Sequence, residues 1–159
     1  MYDLIIKNGF VVSPSSTVKC DVAVNGKQIA GLGTYDVSEG KRVIDAEGKY
    51  VLPGVIEAHM HCMAPFQGCL GANSFYEQSV SAAFGGVTMY MDFANMSKGD
   101  SPFKQALARA DEMKEAAIDY SVHGKFVEST PEAMADIEKM ADYGIPTFKM
   151  FMTYKKEGV

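Results

Sequence analysis

The sequence predicts an α/β fold, a run of parallel βα units behind a short all-β segment, and three observations predict it. Asn-Gly dipeptides punctuate short apolar runs before residue 50, strand-sized and helix-sized apolar patterns alternate after Pro53, and an apolar strand at the junction leads into His59-Met60-His61. The Pro53-Gly54 step marks the boundary, giving a β-sandwich segment over residues 1–52 and an alternating segment over residues 53–159.

In the first segment, Leu4-Ile5-Ile6 and Phe10-Val11-Val12 flank Asn8-Gly9, and Val22-Ala23-Val24 and Gln28-Ile29-Ala30 flank Asn25-Gly26. Asn-Gly between apolar runs predicts a tight hairpin, because a type I′ turn needs positive φ at both central residues. Val43-Ile44-Asp45 followed by Glu47-Gly48 continues the strand-and-turn rhythm. After Pro53 the period changes. Ser74 with Glu77 three residues on predicts a capped helix that closes at Gly85-Gly86. Val87–Phe93 reads as a strand, and Ser101-Pro102 opens a helix whose stripe is Phe103, Ala106, Leu107, Ala110, Met113 and Ala117. Ser121–Val127 is the next strand. Thr130-Pro131 repeats the start signal, Met134, Ile137, Met140 and Ala141 line one face, and Gly144 stops that helix before a strand over Thr147–Met152. Strands alternating with helices at this spacing imply a parallel sheet. A His-x-His at the C-terminal end of the first strand favours a (β/α)8 barrel over an open sheet, since barrel sites sit on that face. Four strands are counted, so about four βα units, the first half of such a barrel, are expected here.

Composition narrows the function classes. The net charge of −5 and the lack of any Lys/Arg cluster argue against nucleic acid as a partner. The opening residues break their apolar run with Lys7, Asn8 and Gly9, so no signal peptide or membrane span is expected. Cys20, Cys62 and Cys69 are odd in number and without knuckle spacing, which suits reduced thiols in a cytoplasm.

His59 and His61 carry the chemistry. Side chains alternate along a strand, so both imidazoles face the same way and can grip one metal ion. Cys62 falls on the opposite face. Asp92 ends the second strand, where a carboxylate could orient a metal-bound imidazole. His123 is expected to be a structural hydrogen-bonding residue. The local sequence leaves Lys149 open between a desolvated amine inside a pocket and a lysine reaching to solvent. The methionines at period two read as adaptable packing.

Pro53-Gly54-Val55-Ile56-Glu57-Ala58-His59-Met60-His61, Gly85-Gly86-Val87-Thr88, Asp92-Phe93, Asp119-Tyr120-Ser121-Val122-His123 and Phe148-Lys149-Met150-Phe151-Met152-Thr153-Tyr154-Lys155 occur in that order. Together they resemble the dihydropyrimidinase/hydantoinase branch of the amidohydrolase superfamily, from about residue 2 to the last residue. Glu57 stands where that family usually has Asp, beside the histidines. The resemblance implies a cyclic-amide hydrolase that opens dihydropyrimidine or hydantoin rings to N-carbamoyl amino acids, with allantoinase or dihydroorotase chemistry, or a non-catalytic scaffold relative, as alternatives. It implies two zinc ions held by His59 and His61 and bridged by a carboxylated Lys149. Tyr154 matches the tyrosine that donates to the developing oxyanion, and Phe66 and Phe151 match positions lining the pocket around the ring substituent. A homo-oligomer, dimer or tetramer, is implied. The chain matches about the first third of such enzymes, with two further histidine ligands and the aspartate general base expected beyond Val159, so the 159 residues alone are not expected to be catalytic.

Overall fold

The computed structural model describes residues 1–66, 68–71 and 73–152, Phe66 by its backbone alone. They fall into two compact units, Met1–Pro53 and a second that opens at Gly54.

In chain order the first unit carries β1 (Leu4–Lys7), β2 (Phe10–Val12), β3 (Thr17–Lys19), β4 (Asp21–Asn25), β5 (Gln28–Gly33), β6 (Val43–Asp45) and β7 (Tyr50–Val51). Two sheets result, in the orders β5-β4-β1-β6 and β3-β2-β7. Ile5, Val22, Ala23 and Ala46 form the buried apolar centre. The hairpin expected at Asn25-Gly26 forms, although register pairs Asn25 with Gln28, so the loop residues are Gly26-Lys27. The hairpin expected at Asn8-Gly9 does not form. There β1 pairs with β4 and β6, while β2 pairs with β3 and β7, so the chain crosses from one sheet to the other. Only Asn8 takes the left-handed conformation, with φ 63°. A type I′ turn needs it at both residues. Asp21, buried, anchors the crossing by accepting from Lys7 Nζ at 2.8 Å, Asn8 N–H at 2.8 Å and Tyr35 N–H at 3.0 Å.

The second unit contains β8 (Val55–Met60), β9 (Pro65–Phe66), β10 (Cys69–Leu70), α1 (Phe75–Phe84), β11 (Val87–Phe93), α2 (Pro102–Glu112), β12 (Asp119–Phe126), α3 (Pro131–Tyr143) and β13 (Phe148–Met150). β8, β11, β12 and β13 make a parallel sheet in the order β13-β12-β11-β8, with α1, α2 and α3 as its crossovers. This is a partial parallel half-barrel. The expected signals set the helix starts: Ser74 and Glu77 complete a capping box, Ser101 caps Lys104 N–H ahead of Pro102, and Thr130 caps Ala133 N–H ahead of Pro131. Gly144, at φ 103°, ends α3. None of the helices among the described residues is long and apolar enough to cross a membrane.

Three details differ from the periodicity reading. α2 stops at Glu112 and a 3-10 turn over Met113–Glu115 follows, so Ala117 lies beyond the helix. Its buried positions are Pro102, Ala106 and Arg109, a cation on an otherwise apolar buried face. On α3 the buried face is Ala133, Asp136 and Met140, with Met134 exposed, because Asp136 accepts from Ser101 Oγ and Phe103 N–H on α2 and turns that face inward. The short β9–β10 pair has no counterpart in the sequence reading. At the start of the sheet, a Cβ on Gly54 would lie 2.1 Å from Thr88 Oγ1, so glycine lets β8 enter this close to β11.

Candidate active site

The parallel strands bring together His59 at the end of β8, His61 just past it, Phe93 at the end of β11, His123 within β12 and Lys149 on β13. The site is anchored from behind by a buried ion pair. Asp92, fully buried, accepts from Cys62 N–H at 3.0 Å and Phe93 N–H at 2.6 Å, and Arg109 Nη2 lies 2.7 Å from the same carboxylate. Arg109 also donates to the Cys62 carbonyl and to Glu112 Oε2, and its guanidinium rests 4.7 Å from the Phe75 ring. Both backbone polar groups of Cys62 are thus tied to one ion pair, immediately after His61. Burial raises the Cys62 thiol to about 11, so it stays protonated, and it packs in the buried core with Phe75, Tyr90 and Ala94.

Phe93 is the centre of the cluster. Its ring centroid lies 4.7 Å from that of His59, 4.9 Å from His61 and 4.8 Å from His123. The His59 and His61 rings are 5.2 Å apart at 73° to one another. Lys149 Nζ sits 3.3 Å from His61 Nε2 and 4.2 Å from the Phe93 centroid. Burial, and then the nearby Lys149 charge, lower the His61 pKa, which favours a neutral ring with an open lone pair. Desolvation lowers the Lys149 pKa as well; its ammonium lies against the Phe93 and Phe151 rings, while the flanking Phe148 and Met150 are exposed. His123 bridges strands, with Nδ1 2.6 Å from Thr147 Oγ1 and Nε2 2.9 Å from the Ala58 carbonyl, so its two ring nitrogens are engaged. A cleft of about 460 Å³ opens beside this cluster, lined by His61, Phe93, Asn95, Lys125, Lys149 and Phe151 among others.

D-hydantoinase of Geobacillus stearothermophilus is 36% identical over 95% of this chain, which spans 32% of that protein. Dihydropyrimidinase of Rattus norvegicus is 35% identical over 96% of the chain, spanning 31% of its length. The crystal structure of dihydropyrimidinase from Brevibacillus agri superposes with a TM-score of 0.89 at 34% identity, covering 95% of this chain and 33% of that one. The chain is a homologue of the D-hydantoinases and dihydropyrimidinases. It spans about a third of the length of these relatives. No family model matches it.

Against these hydantoinase relatives, the sequence-predicted residues sort by position. His59, His61 and Lys149 converge, and Phe151 joins them at the cleft. Tyr154 and the Phe66 side chain lie outside the described residues. Neither Asp92, expected to orient an imidazole, nor Glu57, expected beside the histidines as a supporting carboxylate, hydrogen-bonds to an imidazole among the described residues. Asp92 is committed to Arg109 and two N–H groups, and Glu57 Oε1 accepts from His59 N–H at 2.9 Å along its own strand. Arg109 and Lys125 escaped the sequence reading, and Phe93 entered it as part of a motif without a role at the site. A lone cation within the apolar stripe of α2 was the available signal for Arg109. For Phe93 and Lys125 the signal is register: Phe93 pairs with His123, and Lys125 with Lys149.

Among the described residues no three His, Cys, Asp or Glu side chains gather into a metal cluster. Two imidazoles at one strand end, with a desolvated amine 3.3 Å from one of them, fit the histidine end of a metal site.

Proposed function

We propose that the protein carrying this chain is a metal-dependent cyclic-amide hydrolase of the hydantoinase/dihydropyrimidinase type, opening dihydropyrimidine or hydantoin rings to N-carbamoyl amino acids. The observation that carries the reading is the approach of Lys149 Nζ to within 3.3 Å of His61 Nε2, which unites two motifs 88 residues apart. In this reading His59 and His61 would hold a pair of zinc ions together with Lys149 as its carbamate. Bound zinc supplies an acidified water and a Lewis acid for the ring carbonyl.

The chain's own residues have definable roles. Desolvation makes the neutral Lys149 amine accessible, and its lone pair attacks carbon dioxide, forming the N–C bond as an N–H proton leaves to solvent. Phe93 fixes the orientation of both imidazoles by ring contact, and the Asp92–Arg109 pair fixes the backbone that follows them. Phe151 offers an apolar wall to the ring substituent, and Tyr154 donates its hydroxyl hydrogen to the developing oxyanion. The remaining ligands and the general base come from the rest of a closed barrel. The test is hydrolysis of dihydrouracil and 5-substituted hydantoins by the intact protein, abolished by chelation. Much faster turnover of dihydroorotate or allantoin would overturn the substrate assignment.

A further inference from the structure

We propose that Lys125 is a specificity-determining residue of the cleft, holding a carboxylate carried on the substituent of the cyclic amide. Lys125 on β12 is the register partner of Lys149 on β13, so both side chains leave the sheet on one face. Both ammonium groups lie against the Phe151 ring, Lys125 at 5.3 Å and Lys149 at 4.9 Å from its centroid. The two then diverge in their contacts. Lys149 is drawn to Phe93 and His61, whereas Lys125 has no hydrogen bond or ion pair among the described residues. Among the described residues the cleft lining includes no carboxylate, and Asn95 adds a neutral amide to it.

A half-buried ammonium in an apolar cleft lacks the counter-charge that would offset its lost hydration. A ligand carboxylate answers that need: its single charge matches one ammonium, and its apolar stem can lie along Phe151. The cleft therefore has a reacting end at His61 and Lys149 and a recognition end at Phe151 and Lys125. The aromatic lining alone suggests a neutral substituent; Lys125 changes that expectation. The inference rests on the cyclic-amide reading, and its test separates the two.

The probes are 5-(2-carboxyethyl)hydantoin and its primary amide, which differ in charge at nearly constant shape. The intact protein should prefer the acid in kcat/KM. In Lys125→Met that preference should fall at least about tenfold, mainly through KM, the scale of one charge-assisted hydrogen bond. Lys125→Arg should retain the preference. Calorimetric binding of both probes to the metal-free protein gives a second readout, and circular dichroism checks that each variant folds. Turnover of both probes with a ratio unchanged by Lys125→Met overturns this inference and leaves the hydrolase reading standing. Lys125-dependent binding of the acid without turnover of either probe does the reverse. Loss of metal content in Lys125→Met with an unchanged ratio also overturns it, since Lys125 would then serve the metal site.

Discussion

Arg109→Met is the sharpest perturbation of the site's foundation. Asp92 is fully buried and Arg109 2% exposed, so the substitution leaves a carboxylate without its cation where water cannot reach it. It also strips the Cys62 carbonyl of its donor while leaving the N–H bonds of Cys62 and Phe93 in place. Breaking one side of a buried pair costs about 3–5 kcal/mol. Removing both charges is far milder, because no buried charge remains. The double variant Asp92→Asn/Arg109→Met should therefore be more stable than Arg109→Met alone. Urea unfolding of the intact protein and its variants, followed by circular dichroism, gives the comparison. Metal content should fall in Arg109→Met too, since the backbone after His61 loses its anchor. A loss under about 1 kcal/mol, or a double variant as unstable as the sum of the single ones, would refute the reasoning.

Two further outcomes are expected. Burial pushes the Asp21 carboxyl up, but bonds from Lys7, Asn8 and Tyr35 outweigh it and hold the group below its ordinary value. Its contribution is thus present above the unfolded pKa of about 3.9 and lost as pH falls toward the folded value. Asp21→Asn should cost about 1–3 kcal/mol at pH 7, and the gap from wild type should shrink below about pH 4; a gap independent of pH in thermal melts would contradict this. On the binuclear site proposed above, Lys149→Ala should abolish loading of the metal pair in the intact protein. Two divalent ions a few ångströms apart repel by several kcal/mol at an effective dielectric of about 20 unless an anion bridges them. Short carboxylic acids should partly restore loading, and metal analysis showing two zinc ions per chain in the variant would disprove the bridge.

Elements with local signals were readable in the sequence. Ser74, Ser101 and Thr130 announce their helices because a cap is a contact between residues three apart, and Gly144 ends α3 for an equally local reason. His59 and His61 were readable because strand alternation alone puts them on one face. Contacts across the fold were not. Asn8-Gly9 looks like a hairpin by composition, yet Asp21, thirteen residues on, accepts the Asn8 N–H and helps redirect the chain. The buried positions of Arg109 and Asp136 depend on partners across 17 and 35 residues, which no helical period encodes. Lys125 gains meaning only from the register that pairs it with Lys149.

The crossing at Asn8-Gly9 also constrains how the first unit can form in time. β1 finds its parallel partner only at Val43–Asp45, and β2 finds its own only at Tyr50–Val51. Neither sheet can be zipped up hairpin by hairpin from the N-terminus, because each is completed by a strand more than thirty residues downstream. Loop closure must precede the contacts that reward it, which slows folding. During synthesis, roughly the first 51 residues must clear the ribosome before both sheets close. Translation then proceeds directly into Val55–Met60, so completion of the small sheets and emergence of the histidine strand are consecutive events.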